Sequence, residues 1–290
     1  VCGTHGKTTT TAIAGQILKS SGLDPTVLVG SVVLAWKKNA LVGKSDYFIA
    51  EVDEYQNKLK YFTPKIIILT SIELDHPDYF KNFKDYRQVF IDFIKKLPPD
   101  GLLIANRDDK TVLALAQNAP CQVITYGKTN QANYYYEKLK TSGGNKHRFF
   151  VYKKKDKLGE FSLRLPGEFN ISNSLAAIVL ADFLNIRLID MQRTLANFFG
   201  TARRLEKKGV YNEAIIIDDY AHHPTEVKVT LGALKQFYPN KKIWCVFHPH
   251  TYSRTKALLT DFGRSFNQAD KVGVLDIYGS ARAAQGTSHS

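Results

Sequence analysis

The stretch Val1-Cys2-Gly3-Thr4-His5-Gly6-Lys7-Thr8-Thr9-Thr10-Thr11 limits the fold more than any other. It reads as a phosphate-binding loop running into a helix. Gly3 and Gly6 let the backbone curl and approach a ligand, because glycine has no Cβ to clash. Lys7 supplies a point charge for β- and γ-phosphates, and Thr8 a hydroxyl for Mg²⁺. The exposed N–H groups of the helix start face the anion. The glycine spacing, Gly3-x-x-Gly6-Lys7-Thr8, is shorter by two residues than the common P-loop, G-x-x-x-x-G-K-[ST]. Taken alone, the pattern is also open to a plainer reading, a glycine turn before a threonine-capped helix.

Such a loop needs a strand before it and a parallel sheet around it. The sequence is therefore expected to be a fragment with at least one strand upstream, and Gly279 to Ser290 bring no closing element. After a helix over 8–20, short strands are expected at 26–29 and 46–52. Lys65-Ile66-Ile67-Ile68-Leu69-Thr70-Ser71-Ile72 is the continuous apolar run of a strand buried on both faces. Further strands at 102–105 and 122–126 alternate with helices at 86–97 and 110–118. From Asn133 to Leu165 short strands and charged turns predict an antiparallel ribbon on the edge of the first domain, followed by helices 171–184 and 188–199. Residues 200–205 read as a hinge, after which the α/β rhythm restarts: strand 214–217, helix 224–237, strand 243–247, helix 254–268 and strand 271–277. This alternation predicts a second parallel sheet. The fold class is α/β: a central domain over 1–200 with a mainly parallel sheet plus an antiparallel ribbon, then an incomplete Rossmann-like domain over 201–290.

Composition narrows the function. With 290 residues, 44% of them hydrophobic, the chain can bury a sizeable core in two domains. Its net charge of +13 suits anionic substrates, but the basic residues are scattered and form no aromatic-interleaved stripe. That argues against a nucleic-acid partner. Cys2, Cys121 and Cys245 lie in or beside apolar runs without CxxC spacing, so buried free thiols in a reducing compartment are expected. No run is long enough for membrane insertion.

The polar residues gather where an open parallel sheet binds ligands, beyond the carboxyl ends of its strands. The loop lies there. Glu51 and Asp53 end one strand, and Asp75 and His76 follow another. Asp218, Asp219, Tyr220, His222 and His223 end the first strand of the second domain, and His248, His250 and Arg254 follow the next. Mg²⁺ wants hard oxygen ligands, which Thr8 and Glu51 supply; His76 is a softer candidate for a second metal.

Read together, these segments carry a family. The loop, Glu51-Val52-Asp53-Glu54-Tyr55, Asp75-His76-Pro77-Asp78, Asn170-x-x-Asn173 and Arg203-Arg204 occur in order. Asp218-Asp219-Tyr220-Ala221-His222-His223-Pro224-Thr225-Glu226 and His248-Pro249-His250-Thr251-Tyr252-Ser253-Arg254-Thr255 follow. The chain resembles the Mur ligases, ATP-dependent amide ligases of peptidoglycan synthesis in the cytoplasm, over its whole length. The resemblance implies that Gly3, Thr4, His5, Gly6, Lys7, Thr8 and Thr9 bind ATP, with Asn170 and Asn173 at the adenine. It implies Mg²⁺ on Thr8 and Glu51, a second metal at His76, and Arg204 and Asp219 on the nucleotide across a domain cleft. His222, His250 and Arg254 match the region for the amino acid and the muramyl carboxylate. The implied catalytic set is Lys7, Glu51, His76, Arg204, His222 and Arg254. The implied substrates are UDP-N-acetylmuramate and L-alanine, joined through an acyl phosphate. A murein tripeptide in place of alanine, or a nucleotide-dependent switch, are the alternatives. Gln56-Asn57-Lys58 departs from the acid and Ser-Phe common among relatives, and His248 stands where Gln is usual.

Overall fold

The computed structural model describes residues 1–139 and 146–279. The end of the chain beyond 279, and the part of the expected ribbon at 140–145, lie outside the described residues. The first domain opens with helix α1 (Lys7–Ser20), strands β1 (Thr26–Val33), β2 (Lys38–Leu41) and β3 (Phe48–Ala50), and a 3-10 turn over Tyr55–Tyr61. Strand β4 (Ile66–Leu69), helix α2 (Phe83–Ile94), β5 (Leu102–Asn106), α3 (Lys110–Ala116) and β6 (Gln122–Gly127) follow. Then come β7 (Tyr134–Lys138), β8 (His147–Lys153), β9 (Asp156–Leu163), α4 (Glu168–Phe183) and α5 (Leu188–Ala196).

Six strands run in the order β4-β5-β6-β7-β8-β9, parallel up to β7 and antiparallel beyond it. The expected ribbon is therefore the outer part of the main sheet. A second group, β2-β1-β3, is joined to the first by the backbone of Val1 and Cys2. Val1 N donates to Ala50 O and Val52 N to Val1 O, while Cys2 N donates to Ile68 O and Thr70 N to Cys2 O. Two residues thus form the rung on which the glycine-containing loop is mounted.

Strand alternation explains the layers. Ile68, Leu102 and Ile104 face α1, α4 and α5, packing with Ile13, Ile17, Leu175 and Leu195. Ile67, Leu69, Leu103 and Ala105 face the other way, against Tyr86, Phe90 and Phe93 of α2 and Val112 and Leu115 of α3. A strand buried on both faces must be apolar at every position, which is why residues 66–69 form an unbroken apolar run.

The second domain contains β10 (Glu206–Tyr211), β11 (Ala214–Asp218), α6 (Pro224–Phe237), β12 (Trp244–Phe247), α7 (Tyr252–Ala257), α8 (Leu259–Ser265) and β13 (Lys271–Val274). The expected parallel sheet holds only in part. β12 and β13 pair in parallel, but β11 pairs antiparallel with β10, a strand the periodicity did not predict. β10 reads Glu-Lys-Lys-Gly-Val-Tyr, too charged and glycine-broken to stand out as a strand. Residues 254–268, expected as one helix, divide at Leu258. The core here is small, built on Val227, Leu231, Phe247 and Phe262.

One backbone position controls how α1 meets α4. Gly6 caps α1 in the left-handed region, at φ 82°. A Cβ there would lie 2.4 Å from Asn173 Oδ1. Gly6→Ala is expected to lose about 1–3 kcal/mol from backbone strain, more if Asn173 cannot yield. Urea denaturation measures this, and an unchanged midpoint would contradict the packing described.

Candidate active site

The loop is shaped by its own backbone and by side chains below it. Thr70 Oγ1 donates to His5 O, and Thr4 N donates to Ser71 O. Thr4 turns its hydroxyl inward, 2.7 Å from Tyr86 Oη, so it supports the loop from beneath. Lys7 curls over the loop: Nζ donates to Gly3 O at 2.5 Å and to Thr4 O at 3.2 Å, and lies 3.1 Å from Glu54 Oε2. Burial works against the Lys7 charge, but the Glu54, Asp53 and Glu51 carboxylates outweigh it and raise its pKa. Glu54 is fully buried and also accepts from Tyr86 Oη at 2.8 Å.

Two groups of possible metal ligands flank Lys7. Thr8 Oγ1 donates to Glu51 Oε1 at 2.8 Å, and Gly30 N donates to Glu51 Oε2 at 2.6 Å. A hydroxyl and a carboxylate already in contact, both oxygen donors, fit Mg²⁺. His76 belongs to a different group. Its Nε2 lies 3.9 Å from Asp53 Oδ1 and 3.8 Å from both Glu54 Oε1 and Asp75 Oδ2. Asp53, Glu54 and His76 converge closely enough to share one ion. His76 adopts a positive φ of 57°, which turns the chain after Asp75.

The second domain closes over these groups. The hinge is tied by Asp219, whose carboxylate accepts from Leu205 N at 2.7 Å and Ala221 N at 2.8 Å. Burial raises the Asp219 pKa against these bonds. Arg204 lies over the Tyr220 ring and 4.0 Å from Glu226. Helix α6 starts with a capping box: His223 Nδ1 accepts from Thr225 N, and Glu226 accepts from His223 N, with Pro224 at the first helical position. His222 Nδ1 sits 2.8 Å from Tyr220 O, and burial lowers its pKa, favouring the neutral ring. Arg254, itself buried, donates from Nε and Nη2 to Asp75 Oδ1, each at 3.0 Å. His76 and Arg254 together overcome burial and hold Asp75 well below the usual carboxylate range.

These placements make one cleft of about 1280 Å³. Lys7, Glu51, His76, Arg204, His222 and Arg254 all line it, with Thr4, His5, Gly6, Thr8, Thr9, Asn170, Asn173 and Asp219. Gly3 lies behind the lining, its absent Cβ making room for Thr70 Oγ1. The two asparagines are partly engaged inward: Asn170 Nδ2 donates to Pro166 O, and Asn173 Nδ2 to Asn170 Oδ1. Sequence reasoning passed over Glu54, Glu73, Glu226 and Tyr86. The three acids stand inside or next to segments already singled out, whereas Tyr86 carries no signal beyond its place on an apolar helix face. Of the cysteines, Cys2 is buried as expected and its thiol is pushed up to about 11 by burial. Cys121 and Cys245 are only half-buried: Cys121 lies just before β6 and Cys245 is the second residue of β12, each packed against the margin of a core cluster.

Residues 1–181 match the Mur ligase middle domain, and residues 203–288 match the Mur ligase glutamate ligase domain. A UDP-N-acetylmuramate–L-alanine ligase of Clostridium acetobutylicum is 45% identical over 278 residues, covering 96% of this chain and 60% of that protein. The namesake ligase of Caldanaerobacter subterraneus is 41% identical over 278 residues, with the same coverage. The chain spans about 60% of the length of these curated relatives. Among solved structures, a UDP-N-acetylmuramate–alanine ligase from Thermotoga maritima superimposes with a TM-score of 0.80 at 28% identity, over 98% of this chain and 62% of that one. A murein peptide ligase from Psychrobacter arcticus shares the fold, with a TM-score of 0.66 at 23% identity over 94% of this chain and 68% of that one.

Burial disfavours a charged His5, but its hydrogen bonds to Glu226 and Glu73 outweigh that and push its pKa up to about 9. A group raised on folding contributes fully below its unfolded value, ~6.5, and the contribution is lost as pH rises through the folded value. The thermal midpoint is therefore expected to fall between about pH 7 and about pH 10, and to fall less in His5→Asn. Parallel slopes for the two proteins in a pH series of melts would contradict this assignment.

Proposed function

Because this chain belongs to the Mur ligase family, we propose that it serves an ATP-driven ligase that joins L-alanine to UDP-N-acetylmuramate for peptidoglycan synthesis in the cytoplasm. Residues 1–200 would hold the nucleotide and residues 201–290 would present the acceptor side. The observation that carries this is the single cleft lined from both domains by Lys7, Glu51, His76, Arg204, His222 and Arg254. The choice of alanine is supported by the 45% identity to the Clostridium acetobutylicum ligase of that name. Likeness to the murein peptide ligase, at 23% identity, supports only the fold.

The chemistry follows from the charges. The lactyl carboxylate attacks the γ-phosphorus, the bond to the β–γ bridging oxygen breaks, and ADP leaves an acyl phosphate. The amine of alanine then attacks the acyl carbon, and inorganic phosphate departs. Bringing one anion onto another requires fixed positive charge, which Lys7 supplies at the loop and Arg204 from the hinge. Thr8 and Glu51 are the residues that would hold Mg²⁺, which when bound adds positive charge at the phosphates. The asparagines and the loop backbone hold the nucleotide in line, so that positioning carries part of the acceleration. His222 donates its Nδ1 proton to Tyr220 O, which leaves Nε2 able to take a proton from the attacking amine.

The test supplies ATP, Mg²⁺ and UDP-N-acetylmuramate to the protein in its full natural length, with L-alanine or murein tripeptide. Phosphate release is expected with alanine, and release with tripeptide alone would overturn the choice. Removing Lys7 by itself would strand Glu54 in the interior, so Lys7→Met is best paired with Glu54→Gln. That double variant is expected to keep its circular dichroism and lose at least ~100-fold in turnover. Near-normal turnover would remove Lys7 from the phosphate site.

A further inference from the structure

Among the described residues, His5 is the one in the phosphate loop whose side chain is bonded to both domains. Its Nε2 lies 2.8 Å from Glu73 Oε2, and its Nδ1 lies 3.1 Å from Glu226 Oε1. A neutral imidazole has one N–H, so two carboxylate partners describe an imidazolium donating from both nitrogens. Glu73 follows β4 in the first domain, and Glu226 sits in the first turn of α6 in the second.

Both carboxylates are held in place by other bonds. Glu73 Oε1 accepts from the Thr225 hydroxyl at 2.8 Å, itself a bond between domains. Glu226 Oε2 accepts from His222 N at 3.0 Å and His223 N at 3.3 Å. His5 N donates to Ser71 Oγ at 3.0 Å. The ring is thus fixed to the first domain, and its second carboxylate to the start of α6. Gly6 and Lys7 follow directly, so a shift of α6 pulls on the backbone that wraps the phosphates.

We propose that His5 is a positioning residue that latches the second domain against the phosphate loop by clamping one carboxylate from each domain. Its side chain is committed to that contact and not to a phosphate. The same geometry explains what its loss would do. Glu73 and Glu226 would then face each other with Arg204, 4.0 Å from Glu226, as the permanent cation nearby, while His222, 3.4 Å from Glu226, and His223, 3.9 Å from Glu73, are shifted towards the neutral ring by burial. Attraction at this contact would become repulsion, with the Arg254–Asp75 and Thr225–Glu73 bonds left to hold the domains. The ligase reading enters only in the consequence for turnover, since closure brings Arg204 and His222 over the loop.

Small-angle scattering of this chain without nucleotide or substrate tests the latch, and its outcome does not depend on which reaction is catalysed. His5→Ala is expected to shift the chain to a larger radius of gyration than wild type. Glu226→Gln still accepts the two backbone bonds that start α6, and its amide can donate to Nδ1 of a neutral His5, so it is expected to open the chain less than His5→Ala. The double variant should open no further than His5→Ala alone, because both changes act on one contact. His5→Gln, which can still donate to one carboxylate, should fall between wild type and His5→Ala. Circular dichroism establishes that each variant is folded. Scattering of folded His5→Ala that superimposes on wild type would overturn the proposal, as would additive opening in the double variant.

Discussion

The buried pair between Lys7 and Glu54 is the contact on which the site depends. A carboxylate with no exposed surface is costly unless it is paired and hydrogen-bonded. Glu54 meets both conditions, with Lys7 on one oxygen and the Tyr86 hydroxyl on the other. That one residue joins the phosphate loop, the chain leaving β3, and the first turn of α2. It also sets the Lys7 ammonium over the loop carbonyls, at the helix start where a phosphate would accumulate charge. The neighbouring acids divide into two groups around it, Glu51 with Thr8 and Asp53 with His76.

From that centre the second domain is positioned by side chains that cross the cleft. Arg254 reaches back to Asp75, Thr225 to Glu73, and His5 to Glu226. Each crossing pairs a residue just after β4, or in the loop, with the start of α6 or α7. The cleft is therefore framed by polar contacts, while the apolar cores stay separate in their own domains. Polar framing suits the proposed binding of a nucleotide and a second anionic substrate.

Much of the first domain was legible because its signals are local. The glycine loop, the apolar run at 65–72 and the helix faces at 86–97 each follow from short-range periodicity. The second domain was harder to read. β10 carries three charged residues and a glycine in six positions, so only its pairing with β11 makes it a strand. Among site residues, those in polar clusters at strand ends were found and do line the cleft. Glu54 was missed as a site residue because its role depends on total burial, which no spacing reveals. Tyr86 looked like any aromatic on a helix face, and only the fold shows its hydroxyl under the loop. The pairing of His76 with Asp53 and Glu54 also required the turn at positive φ after Asp75.

The proposed mechanism requires a nucleotide in this cleft with its phosphates at the start of α1. A crystal structure of the chain with Mg²⁺ and a non-hydrolysable ATP analogue tests that directly. Lys7 Nζ is expected on the terminal phosphates, with a metal ion held by the Thr8 hydroxyl and the Glu51 carboxylate. Phosphates bound away from the loop, or a metal ion that touches neither Thr8 nor Glu51, would contradict it.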